Sequence, residues 1–148
     1  MASDRSLSSE AIDGYLPSDY EEFMGETQKS YFRKRLLNWR EQLLKESSET
    51  IYHMREEQQI NPDIVDNASQ ETDRALELRA RDRERKLINK IDSALRRLDE
   101  DEFGYCQDTG EPIDLPRLIA RPIATLSLEA QERHERKERV HRDDRVMS

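Results

Sequence analysis

The sequence predicts a mostly α-helical protein: a long antiparallel coiled-coil hairpin on a small, zinc-finger-like globular base that lacks zinc, followed by a C-terminal helix. Two long stretches carry apolar residues at heptad spacing and contain neither glycine nor proline. A shorter stretch around Cys106 has the frame of a zinc knuckle without most of its thiols. Charged residues make up 39% of the chain and hydrophobic residues only 34%, a balance typical of long solvated helices.

The N-terminal part of the chain, which precedes the hairpin, is expected to be a flexible end followed by a short helix. Its first residues are rich in serine and aspartate, and Ser18 and Glu21 then stand three residues apart, as in a helix-capping box. Gly25 is expected to end or bend the short helix that starts there. The chain thus divides into a flexible N-terminus (1–16), a short N-terminal helix of the base (17–30), the coiled-coil hairpin (31–102) with its tip at 60–68, a degenerate zinc-finger-like segment (103–127) and a C-terminal helix (128–148).

Two helices of similar length form the predicted hairpin. The first spans about 27–59 and stops before Pro62, because the residue preceding a proline avoids the helical conformation. The second spans about 68–102, with Asp66 or Asn67 as its cap. Each would be about 45 Å long at 1.5 Å per residue, and each has a narrow apolar stripe that the other can cover. The stripes are Leu36, Leu43 and Thr50, with Leu37, Leu44 and Ile51 alongside, and, on the second helix, Leu87, Ile91, Ala94 and Leu98.

The segment after the hairpin lacks the ligands of a structural zinc. In a four-cysteine zinc finger, the four ligands would stand at the positions of Cys106, Thr109, Ser127 and Ala130. A structural zinc takes four ligands, usually thiolate or imidazole, and alanine offers none. His134 and His141 are seven residues apart, which is not a spacing that converges with Cys106 on one ion. We therefore expect no structural zinc, and a segment held by hydrogen bonds and by burial of Ile113, Leu118, Ile123 and Leu126.

Composition limits the function. The formal net charge is −8, so phosphate backbones repel the protein and direct DNA binding is not expected. No apolar run approaches the roughly 20 residues of a membrane span, and the N-terminus lacks the basic start and apolar stretch of a signal peptide. The sequence has no glycine-rich phosphate loop, nucleophile motif or paired metal ligands. We expect a soluble, cytoplasmic, monomeric protein that is not an enzyme.

A series of short motifs, in order along the chain, resembles the DksA/TraR family of bacterial transcription regulators. The resemblance implies binding to RNA polymerase at its secondary channel, with the hairpin tip directed toward the active site. There such proteins destabilise promoter complexes, often with the alarmone ppGpp, repressing ribosomal RNA promoters and activating some biosynthetic promoters. The motifs are Glu22-Phe23-Met24, Tyr31-Phe32-Arg33, residues 38–43, 61–68 and 77–88, Phe103-Gly104-Tyr105-Cys106 and residues 117–122.

The resemblance also implies roles for single residues. It assigns the tip function to Asp63, Asp66 and Ala68, and a grip on the rim of the polymerase channel to Arg83. From the residues alone, Asp66 is equally well explained as a helix cap. The arginines and lysines around Arg83 are in turn typical of a solvated face with helix-spaced ion pairs.

An anion site is the last role that the resemblance implies. Leu87, Lys90 and Arg121 match family positions that contact ppGpp at the polymerase interface, and an arginine fork suits phosphate. A further family lysine is Gln131 here, so one positive charge is missing. A structural salt bridge of Arg121 within the finger-like segment is an equal alternative.

Other functions remain open at this point. A Gre-type transcript-cleavage factor also inserts an acidic coiled-coil tip into the polymerase channel. A helical-hairpin adaptor or chaperone would instead hold a client between its arms, and would favour a more apolar tip. Cys106 is either a redox sensor or a small apolar filler, and the lack of a second thiol in the chain favours the filler.

Overall fold

Helices make up most of the structure, a computed structural model that describes residues 11–60 and 67–147. The helices of these residues are α1 (Glu26–Ile60), α2 (Asn67–Asp99), α3 (Leu115–Ala120) and α4 (Leu128–Met147). The predicted helical class, with a hairpin of α1 and α2 and a charged C-terminal helix, is confirmed. Among the residues described, no helix combines the length and the apolar composition that crossing a membrane requires.

Internal contacts divide the chain into two compact units. The hairpin unit comprises Leu36–Ser93. The base unit comprises Met1–Arg35 together with Ala94–Ser148. Each unit has its own buried side chains, and the candidate functional residues are distributed over both.

The seam of the hairpin unit follows the predicted heptads. Leu36 and Ile91 are 0% exposed and Leu43 is 7% exposed, as the heptads predict. Leu37 and Leu44, which the prediction placed alongside the stripe of α1, are instead 48% and 43% exposed. Thr50 and Ile51 continue the predicted stripes, but their side chains lie outside the described residues. Leu36, Leu43 and Ile91 exclude water from the seam, and each full burial contributes about 1.5–3 kcal/mol.

An aromatic cluster forms the centre of the base unit. The Phe32 ring lies 5.1 Å from the Tyr31 ring and 5.2 Å from the Phe103 ring, measured between centroids. Phe32 is fully buried, and the two neighbouring rings are 2% exposed. Of the four apolar residues predicted to hold the finger-like segment, Ile113 and Leu118 are buried, whereas Ile123 and Leu126 are half-buried. The remaining buried apolar side chains of this core are Met24, Ala94, Leu98, Cys106, Leu115, Ala124 and Ala130.

The short helix predicted over 17–30 is wrong for its first part. Residues 17–25 form turns, a bend and irregular backbone, and helical structure begins only at Glu26. Met24 has a φ of 53°, a left-handed conformation that interrupts any helix passing through it. The segment before it contains a tight turn in which Ile12 and Tyr15 exchange two backbone hydrogen bonds, at 3.1 and 2.9 Å. Residues 11–16 are therefore folded where the sequence predicted a flexible end.

Gln28 fastens this N-terminal segment to the first turn of α1. Its side chain is 1% exposed and has hydrogen-bond partners at both ends. Oε1 accepts from the Met24 N–H at 2.9 Å, and Nε2 donates to the Ser18 carbonyl at 3.1 Å. Nε2 also donates to Glu21 Oε2, which accepts a second bond from the Tyr15 hydroxyl. A buried amide with these partners costs little, whereas the same amide without them would be strongly destabilising.

The end of α2 also differs from the prediction. The helix ends at Asp99 rather than near residue 102. Asp101 has a φ of 60°, and the N–H of Glu102 donates to the Arg97 carbonyl at 2.8 Å, so the chain turns away in a left-handed helix cap. Lys29 of α1 pairs with the Asp101 carboxylate. An aspartate thus occupies a position that glycine usually takes, which is why the sequence pattern did not mark it.

Candidate functional site

In the base unit, the segment around Cys106 that was predicted as a zinc knuckle folds into a hydrogen-bonded turn. The Cys106 N–H donates to the Glu111 carbonyl at 2.8 Å, and the Gly110 N–H donates back to the Cys106 carbonyl at 2.8 Å. Gly110 has a φ of 75°, a left-handed conformation that glycine adopts without strain. Tyr105 and Pro112 pair on either side as an isolated antiparallel bridge. The segment predicted as a zinc knuckle is therefore a folded turn.

Hydrogen-bond donors surround the Cys106 sulfur. The side chain is 2% exposed. Burial raises the pKa of this thiol, but hydrogen bonds from the Thr109 hydroxyl and from the backbone N–H groups of Ser127, Thr109 and Asp108 outweigh burial and lower the pKa to about 6. The hydrogen-bond donors to the sulfur thus come from two segments, the turn after Cys106 and the start of α4. A bound zinc ion would join the same two segments.

The other three frame positions do not fit a zinc ion. Thr109 Oγ1 accepts from the Glu111 N–H at 3.3 Å, and Ser127 Oγ accepts from the Ala130 N–H at 3.2 Å, which caps α4. Ala130 is fully buried and presents a methyl group. With one thiol, two hydroxyls and one methyl, the set lacks the four thiolate or imidazole ligands of a structural zinc. Elsewhere in residues 11–60 and 67–147, no group of three or more His, Cys, Asp or Glu side chains could hold a metal.

The two histidines of α4 do not supply the missing ligands. His134 Nε2 lies 2.6 Å from Asp108 Oδ2, so this histidine holds α4 against the knuckle instead. His141 lies one heptad further along the exposed helix. The side chains of Cys106, Thr109 and Ser127 therefore form hydrogen bonds where a zinc finger has ligands, and Ala130 fills the fourth position with a buried methyl group.

We predict that the Cys106 thiol titrates near pH 6. A thiol with a lowered pKa in the folded state contributes stability above its ordinary pKa of about 8.5, and loses that contribution as the pH falls through about 6. The thiolate ultraviolet absorbance should therefore appear with a midpoint near pH 6. Thr109→Val removes one donor and should move the midpoint upward. A midpoint near that of a free cysteine in the unaltered protein would contradict the hydrogen-bonded sulfur.

The predicted tip residues lie mostly outside the described part of the chain. Asp63 and Asp66 fall in the undescribed residues 61–66. Ala68 lies in the first turn of α2, with a side chain that is not among those described. Their roles therefore remain predictions from the sequence.

The rim and anion residues of the hairpin unit lie on one side of α2. Arg83 and Lys90 are exposed and Leu87 is half-buried. Positions four and seven residues after Arg83 return to nearly the same side of a helix with 3.6 residues per turn. The neighbouring charges do form the expected helix-spaced ion pairs: Asp82 accepts from Arg85 at 2.9 Å and lies 3.2 Å from the Lys86 amine. The bond from Arg85, followed by that from Lys86, lowers the pKa of Asp82.

Arg121 lies in the base unit, directly after α3. Its side chain is exposed and, among the residues described, takes part in no salt bridge, so the structural alternative for this arginine has no support. It lines an open cleft of about 610 Å³ together with Arg117, Asp19 and Asp114. Arg117 was not singled out by the sequence, although it stands four residues before Arg121. Gln131, at the family lysine position, donates to Glu135 at 3.3 Å.

Comparison with known proteins gives consistent matches over nearly the whole chain. The family described as DnaK suppressor protein DksA, N-terminal domain, matches residues 28–98, and the prokaryotic dksA/traR C4-type zinc finger matches residues 101–136. The RNA polymerase-binding transcription factor DksA of Caulobacter vibrioides strain NA1000 is 61% identical over 130 residues, covering 88% of this chain and 92% of that protein.

Two further relatives agree. The RNA polymerase-binding transcription factor DksA of Escherichia coli K12 is 44% identical over 120 residues, covering 81% of this chain and 80% of that protein. The structure of transcription factor DksA2 from Pseudomonas aeruginosa aligns with a TM-score of 0.73 at 40% identity, over 92% of this chain and 98% of that one. The similarity thus extends through the zinc-finger segment, although three of the four frame positions here lack a thiol.

Proposed function

Because the chain belongs to the DksA/TraR family, we propose that it is a transcription regulator that binds RNA polymerase and enters the secondary channel of that enzyme with its hairpin. The observation that carries the proposal is the 61% identity to a protein named for binding RNA polymerase, over nine-tenths of that relative's length. A pair of packed helices supports it, since a slender hairpin can enter a pore that excludes a globular domain.

The hairpin has the length and internal packing that such a role requires. α1 contains 35 residues and α2 contains 33, so each is about 50 Å long at 1.5 Å per residue. Arg40 Nε donates to Asp92 Oδ1 at 2.8 Å across the seam. A half-exposed ion pair of this kind contributes about 0.2–1 kcal/mol, so the buried leucines and isoleucine are the main contacts that hold the helices together.

The tip residues perform the regulatory step in this proposal. Asp63 and Asp66, with Ala68 beside them, reach the surroundings of the polymerase catalytic centre and destabilise promoter complexes. Ribosomal RNA promoters are repressed and some biosynthetic promoters are activated. The carboxylates contact basic or amide groups of the polymerase rather than a metal, because two carboxylates alone make a poor metal site.

Docking and response to the alarmone use the remaining predicted residues. Arg83 grips the rim of the channel, and ppGpp binds between the polymerase and Leu87, Lys90 and Arg121. Since Gln131 replaces a family lysine, the response to ppGpp is weaker than in lysine-bearing relatives. The protein acts without zinc, as a cytoplasmic monomer.

An Asp66→Asn variant tests the proposal. We expect it to bind core RNA polymerase with an affinity within about twofold of the unaltered protein, because the amide keeps the size of the side chain and the docking contacts lie elsewhere. Repression of a ribosomal RNA promoter in purified transcription reactions should be lost. The matched control is Asp73→Asn, a substitution of an exposed aspartate on α2, which should change neither property.

Two outcomes would oppose the proposed mechanism. Loss of polymerase binding in the Asp66→Asn variant would make the tip an anchor rather than an effector. Cleavage of the transcript in a backtracked complex by the unaltered protein would instead identify a Gre-type factor. Transcription with and without ppGpp, in the same reactions, measures the alarmone response.

A further inference from the structure

The hairpin seam changes from apolar to polar residues part-way along both helices. Residues at steps of seven form the seam of a coiled coil. On α2, the residues at these steps are Leu98, Ile91, Glu84 and Glu77. On α1, they are Leu36, Leu43 and Thr50. Leu44 of α1 and Ile88 of α2 line the same groove, so the polar stretches that begin beyond them lie beside each other.

Burial follows this change in composition. Leu36, Leu43 and Ile91 are at most 7% exposed. Toward the tip from Leu43 and Ile91, none of the side chains that the structure describes on α1 or α2 is buried. Even large apolar side chains are exposed there: Tyr52 by 62% and Leu78 by 56%. The hairpin unit thus has a proximal part with a buried seam (36–43 and 87–93) and a distal part without one among its described side chains (44–60 and 67–86).

Glu84 is the first seam residue of α2 in the distal part. Its Oε2 atom is shielded from solvent and has no hydrogen-bond partner among the described residues. A shielded carboxylate oxygen without a donor is unfavourable, and water would satisfy it if the two helices separated. Glu84 therefore opposes tight closure of the distal part, whereas Ile91, one heptad away, favours closure of the proximal part.

We propose that the hairpin contains a conformational device: the distal part opens and closes locally while the proximal part stays packed. Opening hydrates the Glu84 carboxylate and separates few buried apolar groups, so it does not require the rest of the chain to unfold. The Arg40–Asp92 pair, at 2.8 Å, holds the register of the proximal part meanwhile. Inside a narrow pore, the device would let the hairpin change its width near the tip; this consequence alone rests on the proposed function.

Hydrogen exchange of the free protein, followed by mass spectrometry of peptic peptides, tests the device. We expect the amides of 44–56 and 70–84 to exchange at least about 100-fold faster than those of the proximal part, because a helix without its partner is marginally stable in water. The change should occur as a step beside Leu43 and Ile91. Equal exchange in both parts, or fast exchange confined to the last turn of α1 and the first turn of α2, would overturn the proposal.

A Glu84→Leu variant should close the distal part, because leucine extends the apolar seam by one heptad. We expect exchange in the distal peptides to slow by about tenfold or more, with no change in the proximal peptides. The matched control is Glu49→Leu, the same substitution at an exposed distal glutamate, which should change exchange by less than about twofold. No slowing in Glu84→Leu, or equal slowing in both variants, overturns the proposal. Because the free protein is measured, a failure to bind polymerase would refute the proposed function and leave this result standing.

Discussion

Replacing Phe32 by alanine is expected to lower the free energy of unfolding by about 3–5 kcal/mol, the usual cost of deleting a buried phenylalanine ring. Phe32 is 0% exposed and contacts the rings of Tyr31 and Phe103, so the deletion leaves a cavity lined by side chains that have little freedom to collapse. Urea unfolding followed by circular dichroism measures the loss.

A matched control distinguishes this central ring from aromatic residues in general. Phe23 also makes an edge-to-face contact, 5.5 Å from Tyr105, but it is only half-buried. Phe23→Ala should therefore cost clearly less than Phe32→Ala. Equal losses for the two variants would mean that the aromatic cluster is not the main stabilising element of the base unit.

Restoring the missing thiols is expected to create a zinc site. A Thr109→Cys, Ser127→Cys, Ala130→Cys variant would present four thiolates with Cys106, on a knuckle whose backbone turn is already folded. Four thiolates bind zinc tetrahedrally and contribute its binding energy to folding. We expect about one zinc ion per chain by native mass spectrometry, and an unfolding temperature that falls when a strong chelator is added.

The unaltered protein provides the contrast. Its unfolding temperature should be the same with and without the chelator, because hydrogen bonds to Cys106, Thr109 and Ser127 hold the segment. Ser127→Cys alone supplies only a second thiol and should remain insensitive to the chelator. Unfolding of the unaltered protein by a chelator, or one tightly bound zinc ion per chain, would contradict a zinc-independent base.

The hairpin could be predicted from the sequence because its signal is local and repeated. Leu36 and Leu43 mark the buried side of α1, and Ile91 marks that of α2, through spacing alone. The helical class and the approximate ends of both helices followed from that pattern, although α2 ends at Asp99, before its predicted end. The exposure of Arg83 followed for the same reason, since a charged residue off the stripe lies toward solvent.

The N-terminal segment could not be predicted in this way, because a distant residue determines its path. A Cβ on Gly104, which has a φ of 90°, would lie 3.0 Å from Met24 Cγ, so Met24 packs directly on a bare glycine backbone. This contact joins residues far apart in sequence and accompanies the left-handed conformation of Met24. The capping-box pattern at Ser18 does not indicate the contact between Met24 and Gly104.

The candidate site was partly predictable. The four degenerate zinc positions could be read from spacing, but their hydrogen bonds depend on Ser127 approaching Cys106 through the fold.

The buried sulfur of Cys106, whose lowered pKa of about 6 favours the thiolate at neutral pH, makes the protein its own probe of local opening. A thiolate is the reactive form toward alkylating reagents, yet a side chain that is 2% exposed can react only when its surroundings part. The alkylation rate therefore measures how often the turn at Cys106 separates transiently from α4 while the rest of the chain stays folded. No label has to be introduced, since this is the single cysteine of the chain.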